Sequence, residues 1–218
     1  MSRRSLVLAI TALAVAGFAF AGFIYNRPSP SQPRVVALQA SDALVRPHSP
    51  VLGRADGRVT IVEFFDPACE TCRAFYPVVK QILAEYPDDV RVVLRYAPFH
   101  KDSDEAVKIL EAARKQGVFV PVMEALLDAQ DEWADHHKPQ IAKAWAAAAA
   151  AGLNVDVARK AIAAPDITAA LALDLVDIRG LGVRRTPTFF VNGQPLLSFG
   201  VSQLQDLVRG EVEGARKK

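Results

Sequence analysis

Between Val59 and Tyr96 the chain reads strand, helix, strand, and that unit limits the folds open to it more than any other stretch. Val59-Thr60-Ile61-Val62-Glu63-Phe64-Phe65 is β-branched or aromatic except at Glu63, which in so short a run predicts a strand buried on both faces. The run ends at Asp66-Pro67. From Ala68 onward, apolar side chains at Phe75, Val79, Ile82, Leu83 and Tyr86 follow three-four spacing, predicting an amphipathic helix that stops at Pro87 and carries Pro77 inside it. Val90-Arg91-Val92-Val93-Leu94-Arg95-Tyr96 supplies a second strand. A unit of this size favours a parallel pair joined by a right-handed crossover.

The pattern then changes. From Ser103 to about Gly180 the chain is rich in Ala, Leu, Lys and Glu with helical periodicity, broken near Gly117-Pro121, His136-Pro139, Gly152-Asn154 and Pro165, so four or five helices are expected. Thr188-Phe189-Phe190-Val191, Asn192-Gly193 and the run from Gln194 to Phe199 read as a hairpin, because Asn-Gly supplies the positive φ angles of a tight turn. A last helix is expected over about Val201 to Glu213, followed by a solvated basic tail at 214–218 that includes Arg216-Lys217-Lys218.

Arg3 and Arg4 precede an uncharged stretch from Ser5 to Tyr25, long enough to cross a bilayer at ~1.5 Å per helical residue. Residues 1–25 are therefore expected to be an export signal or a signal anchor. Positive charge on the short side predicts a cytoplasmic amino terminus with everything after Tyr25 translocated, a periplasmic or otherwise extracytoplasmic location. Ala19-Phe20-Ala21 has the small-x-small form of a processing site, but Phe23-Ile24-Tyr25 prolongs the apolar run, which favours an uncleaved anchor with residues 6–25 in the inner membrane. Asn26 to Pro50, with Pro28, Pro30, Pro33, Pro47 and Pro50, reads as an extended spacer leading to a domain at Val51–Glu213. Folded structure is expected from near Leu44. A net charge of +2 with scattered basic residues argues against a nucleic-acid partner.

The chain holds two cysteines, and they lie together in Cys69-Glu70-Thr71-Cys72, where strand gives way to helix. That spacing closes a tight disulfide, and free N–H groups at a helix start favour thiolate on the first sulfur. Half of a zinc site and a structural disulfide are the other readings of such a pair. The surroundings favour a redox dithiol: a strand precedes it, a helix follows, no second Cys pair exists, and Thr186-Pro187-Thr188 lies just before a distant strand.

Together these residues resemble the thioredoxin superfamily, and more specifically the DsbA-like thiol-disulfide oxidoreductases. The resemblance covers about Val51 to Glu213 and rests on Glu63-Phe64-Phe65 ahead of the first Cys, Cys69-Glu70-Thr71-Cys72, Pro77, the helical stretch and Thr186-Pro187-Thr188-Phe189. It implies an α/β thioredoxin fold whose βαβ and ββα halves flank a helical insertion at about 103–180. It also implies that Cys69 is the nucleophile, Cys72 the resolving sulfur of the redox-active disulfide, and Glu63 an acid beneath them that relays a proton. Thr186 and Pro187 would form a cis-proline loop offering main chain to substrate. The implied partners are substrate proteins with thiols or disulfides and a membrane redox partner that resets the dithiol. No cofactor is expected.

Glu70-Thr71 departs from the best-known DsbA pattern, which has Pro-His between the sulfurs. A carboxylate beside the thiolate opposes its formation, so Cys69 is expected to have a higher pKa, and the disulfide to be less oxidising, than in that pattern. Oxidation of substrate dithiols is the reading taken forward. Reduction or isomerisation is the alternative, favoured by Glu70-Thr71 and Thr186. Cu(I) handling by the two thiolates is a further one, although no additional Cys or Met-rich ligand set accompanies them. His48, His100, His136 and His137 include no pair at helical ligand spacing and are expected on the surface without a metal. Trp133 and Trp145 are expected to pack the helical block.

Overall fold

The computed structural model describes residues 42–217. The expected membrane segment and most of the expected spacer lie outside the described residues, among which no helix is long and apolar enough to cross a membrane.

Strands β1 (Val51–Gly53), β2 (Val59–Phe65) and β3 (Val90–Tyr96), with helix α1 (Glu70–Glu85) between the last two, form the first half of the fold. β2 and β3 run parallel in register from Val59 opposite Val90 to Phe65 opposite Tyr96. Both are covered on two sides, which is why neither sequence alternates between apolar and polar. The second half comprises β4 (Thr188–Val191), β5 (Gln194–Pro195) and α8 (Val201–Arg216), and β4 pairs antiparallel with β2 to complete the sheet order β1-β3-β2-β4-β5.

Between the halves stand α2 (Ser103–Lys115), α3 (Phe119–Asp128), α4 (Gln130–Trp133), α5 (Ile141–Ala150), α6 (Val155–Ala161) and α7 (Pro165–Leu181). These are six helices where four or five were expected. The additional one is the single turn α4, separated from α3 by Ala129 alone, with neither Gly nor Pro to mark the break. Trp133 and Trp145 are buried, and their ring N–H groups donate to Leu126 O at 2.8 Å and Glu105 Oε1 at 2.7 Å.

The two sheet faces bury different sets. Val59, Ile61 and Phe65 pack with Phe75, Val79 and Ile82 of α1, Leu204, Val208 and Val212 of α8, and the insertion. Val62, Phe64 and Val93 pack on the opposite face with Leu44, Ile178 and Val183. The chain from Leu44 to Pro50, though proline-rich, is therefore part of the packed unit: Leu44 is buried, Arg46 Nη2 lies 2.7 Å from Asp177 Oδ1, and His48 Nε2 lies 2.7 Å from Asp174 Oδ1.

Two expected boundaries shift at the C-terminal end. The hairpin turn is as expected, with φ of 47° at Asn192 and 82° at Gly193, but β5 is two residues long rather than running to Phe199. Pro195 has no N–H to donate, and after Leu196 N bonds Phe189 O the chain turns away, leaving Leu197 92% exposed. Helix α8 continues past Glu213 to Arg216, so Arg216 is not a free tail residue. Its Nη2 lies 2.6 Å from Asp89 Oδ2 and its guanidinium sits over the Tyr86 ring, which anchors the last turn.

Candidate active site

The end of β2 and the start of α1 build the site. Asp66 is fully buried and accepts hydrogen bonds from the backbone N–H groups of Ala68 at 2.9 Å, Phe99 at 2.7 Å and His100 at 3.1 Å. It thereby ties the loop before the cysteines to the loop after β3. This turn delays the helix by two residues relative to the expected start at Ala68, and Cys69 becomes its N-cap with φ of −85° and ψ of 119°. Gln130 Nε2 donates to Pro67 O at 2.8 Å, fixing α4 of the insertion onto the same loop.

Both cysteines are free thiols, with Cys69 5% and Cys72 0% exposed. Across from them the Thr186-Pro187 peptide is cis, and the Cys69 thiol donates to Thr186 O at 3.3 Å. The two sulfurs sit in opposed electrostatic settings. A hydrogen bond from the Cys72 thiol, against opposing burial and with help from Thr186 and the N–H groups of Cys72 and Thr71, holds Cys69 down to about 5. Burial first, then the neighbouring sulfur and Glu63, pushes Cys72 well above the ordinary thiol range.

Glu63 projects from β2 on the face that carries the dithiol and is 2% exposed. Among the described residues no side chain or N–H hydrogen-bonds it. Burial, with a smaller contribution from the charge of Cys69, pushes it up to about 8, so it retains its proton at neutral pH. Phe75, Phe189 and Phe199 form an aromatic wall nearby, with Phe75 and Phe199 centroids 4.7 Å apart.

His136 and His137 are exposed, as expected, and His48 and His100 are half-buried, but two of the four meet beside the cysteine motif. His136 Nε2 lies 2.6 Å from Glu70 Oε1, His100 Nδ1 lies 2.8 Å from Asp66 Oδ2, and the two imidazole rings are 5.3 Å apart. They are brought to the cysteine motif by tertiary packing of the insertion, which sequence spacing does not register. The hydrogen bond and charge of Glu70, with Cys69 contributing, raise the pKa of His136. By the same coupling a protonated His136 offsets the carboxylate and favours the thiolate. The α4–α5 loop thus sets an imidazole against the carboxylate that stands between the sulfurs. Asp66 and Gln130 were also missed, and an Asp-Pro pair read as a strand end is the one signal either left.

The family model described as Thioredoxin matches residues 46–209. A thioredoxin-like oxidoreductase from Silicibacter pomeroyi DSS-3 is similar at 32% identity over 81% of this chain and 98% of that one, with a TM-score of 0.68. α-DsbA1 of Wolbachia pipientis shares the fold at 18% identity over 81% of this chain and 96% of that one, with a TM-score of 0.70. Among curated proteins, the Na+/H+ antiporter NhaA of Herminiimonas arsenicoxydans is 30% identical over 67% of this chain and 22% of that protein, so the chain spans about a fifth of that relative's length. On the family match across most of its length, this chain belongs to the thioredoxin family, and its likeness to a solved thioredoxin-like oxidoreductase covers nearly all of that protein's chain.

Proposed function

We propose that this chain oxidises dithiols of substrate proteins by passing them the disulfide of Cys69 and Cys72, and that it does so in the periplasm. The observation that carries the reading is the split between the sulfurs: Cys69 held to about 5 and Cys72 pushed well above its ordinary value. A stabilised Cys69 thiolate makes it a good leaving group and favours the reduced form of the enzyme, which is what makes a disulfide oxidising.

In the oxidised enzyme a substrate thiolate attacks Sγ of Cys69. The Cys69–Cys72 bond breaks, its electron pair goes to Cys72, and Cys72 takes a proton from Glu63, which at neutral pH holds one to give. The second substrate thiolate attacks the substrate sulfur of the mixed disulfide, and Cys69 departs as thiolate. Substrate loses two electrons and the enzyme gains two. The main chain at Thr186 offers hydrogen bonding that ignores substrate side chains, consistent with many clients. A membrane redox partner returns the dithiol to the disulfide, and residues 6–25 tether the domain beside that partner.

The value of about 5 for Cys69 lies between about 3.5 for DsbA and about 7 for thioredoxin. Glu70-Thr71 in place of Pro-His, with the Glu70 carboxylate offset by His136, accounts for an intermediate poise. Equilibration with glutathione buffers tests the direction. A potential between about −120 and −200 mV supports the oxidant, while one near −270 mV, with turnover of oxidised insulin, supports a reductase.

A further inference from the structure

Glu70, His100 and His136 come from the start of α1, the β3–α2 loop and the α4–α5 loop, yet one ligand atom from each lies within 4.8 Å of the other two. We propose that these three side chains bind a divalent transition cation of the Zn2+ class at the mouth of the dithiol, a site separate from the sulfurs themselves.

The donor set suits such an ion: two imidazoles and a carboxylate fill three positions of a tetrahedral site and leave the fourth for water. His100 has the support such a ligand needs. Its Nδ1 faces the buried Asp66 carboxylate at 2.8 Å, which assigns the free lone pair to Nε2, and a carboxylate behind a ligand histidine fixes the tautomer and raises basicity. His136 Nε2 and Glu70 Oε1 lie 2.6 Å apart across a shared proton that a cation would replace.

A second feature points into the same space. A cavity of about 230 Å³ is lined by Glu70, Gln130 and His136 with the loop between them. Gln130 is 2% exposed, its Nε2 is spent on Pro67 O, and its Oε1 is buried with no hydrogen-bond partner. An orphaned acceptor in the same cavity as two of the three ligands, Glu70 and His136, is suited to receive a hydrogen bond from water on the metal. Bound nitrogens and oxygens at about 2.1 Å from zinc lie about 3.4 Å from one another, so the three side chains must draw in from the present 4.8 Å spread. The side chains of Glu70 and His136 are 51% and 53% exposed and free to change rotamer, whereas His100 and its Asp66 support provide the fixed side.

The test must silence the thiols, which bind zinc on their own. In the Cys69→Ser/Cys72→Ser variant, and separately in the oxidised wild-type protein, calorimetric titration with Zn2+ is expected to show one equivalent bound. His136→Ala and His100→Ala should each weaken it by at least about 10-fold. Co2+ in the same variant should give visible bands of a low-symmetry nitrogen and oxygen site without thiolate charge transfer. His136 is half exposed, so its loss should leave the urea midpoint unchanged. Absence of stoichiometric binding in both thiol-silenced forms, or binding that survives both histidine variants, overturns the proposal. Binding is read without disulfide exchange, so neither result bears on the oxidant reading.

Discussion

Glu63 and Asp174 are both carboxylates buried against the central sheet, and the protein treats them oppositely. Asp174, on the face where Arg95 meets α7, accepts hydrogen bonds from Arg95 Nε at 3.1 Å, Arg95 Nη2 at 2.7 Å and Tyr96 N at 2.8 Å, with His48 Nε2 at 2.7 Å. Arg95 Nη2 also reaches Asp177 Oδ2 at 2.6 Å. Glu63, on the dithiol face, has burial and the Cys69 charge around it and no such partners among the described residues. A paired buried charge holds elements in place, here binding the segment from Leu44 and α7 onto β3. An unpaired one keeps its proton and is available to give it away. The same residue class thus builds the frame on one face and, in the proposed mechanism, supplies a proton on the other.

The largest expected effect falls on the reacting side. Cys69→Ser should abolish disulfide transfer, a loss of at least about 1,000-fold in turnover, because Cys72 is then the one cysteine left and no disulfide can form within the chain for a substrate thiolate to attack. Cys72→Ser should instead accumulate a mixed disulfide visible by intact mass. Either variant retaining normal turnover would break the division of roles.

On the bracing side, Asp174→Ala leaves Arg95 buried with one of its two carboxylates gone and should cost about 3–5 kcal/mol in urea unfolding. The titration of Cys69 should stay where it is. A shift in that titration would show that the two faces are coupled rather than separate.

Glu63→Gln tests the unpaired carboxylate through pH. With its pKa raised from 4.5 to about 8 in the folded state, folded and unfolded forms are both protonated below about 4.5 and Glu63 then has no effect on stability. Between the two values the unfolded chain releases a proton that the folded chain keeps, so stability falls as pH rises, and above about 8 the loss is complete. The wild type should lose roughly 1.4 kcal/mol for each pH unit between 5 and 7 from this source, a slope the glutamine variant should lack. The same variant should slow reduction of the enzyme disulfide by about 10-fold or more. Parallel pH curves for the two proteins would place Glu63 in solvent.

The smallest effect concerns the His136 imidazole. His136→Ala should move the Cys69 titration upward, since a nearby cation is lost and Glu70 is left unopposed. A downward move would reverse the role given to His136.

These contrasts explain what the sequence made legible. The unit from Val59 to Tyr96 could be read because the burial of its strands on two faces is written in local apolar runs, and Glu63 stood out as the one charge within Val59–Phe65. Cys69 and Cys72 were legible by spacing. Thr186-Pro187 was legible only through family resemblance, because nothing local distinguishes a cis peptide from a trans one. His100 and His136 were read as separate surface residues, since the loops that carry them meet only when the insertion packs on the Asp66 turn. Arg46 and His48 were hidden for the same reason: a proline-rich stretch looks like spacer until Asp174 and Asp177 are seen beside it. Helix α4 was missed because a single turn carries too few residues to show a period.

The central claim is that the two sulfurs are electrostatically unlike, and the titration of thiolate absorbance in the reduced protein tests it most directly. The account predicts that one thiolate appears with a midpoint near pH 5, belonging to Cys69 and absent in Cys69→Ser, while the other thiol stays protonated past the ordinary range. The reduced form should correspondingly lose stability as pH falls through about 5, having its full share above the unfolded thiol value. Two thiols titrating together near about 8.5, the value for free cysteine, would contradict it.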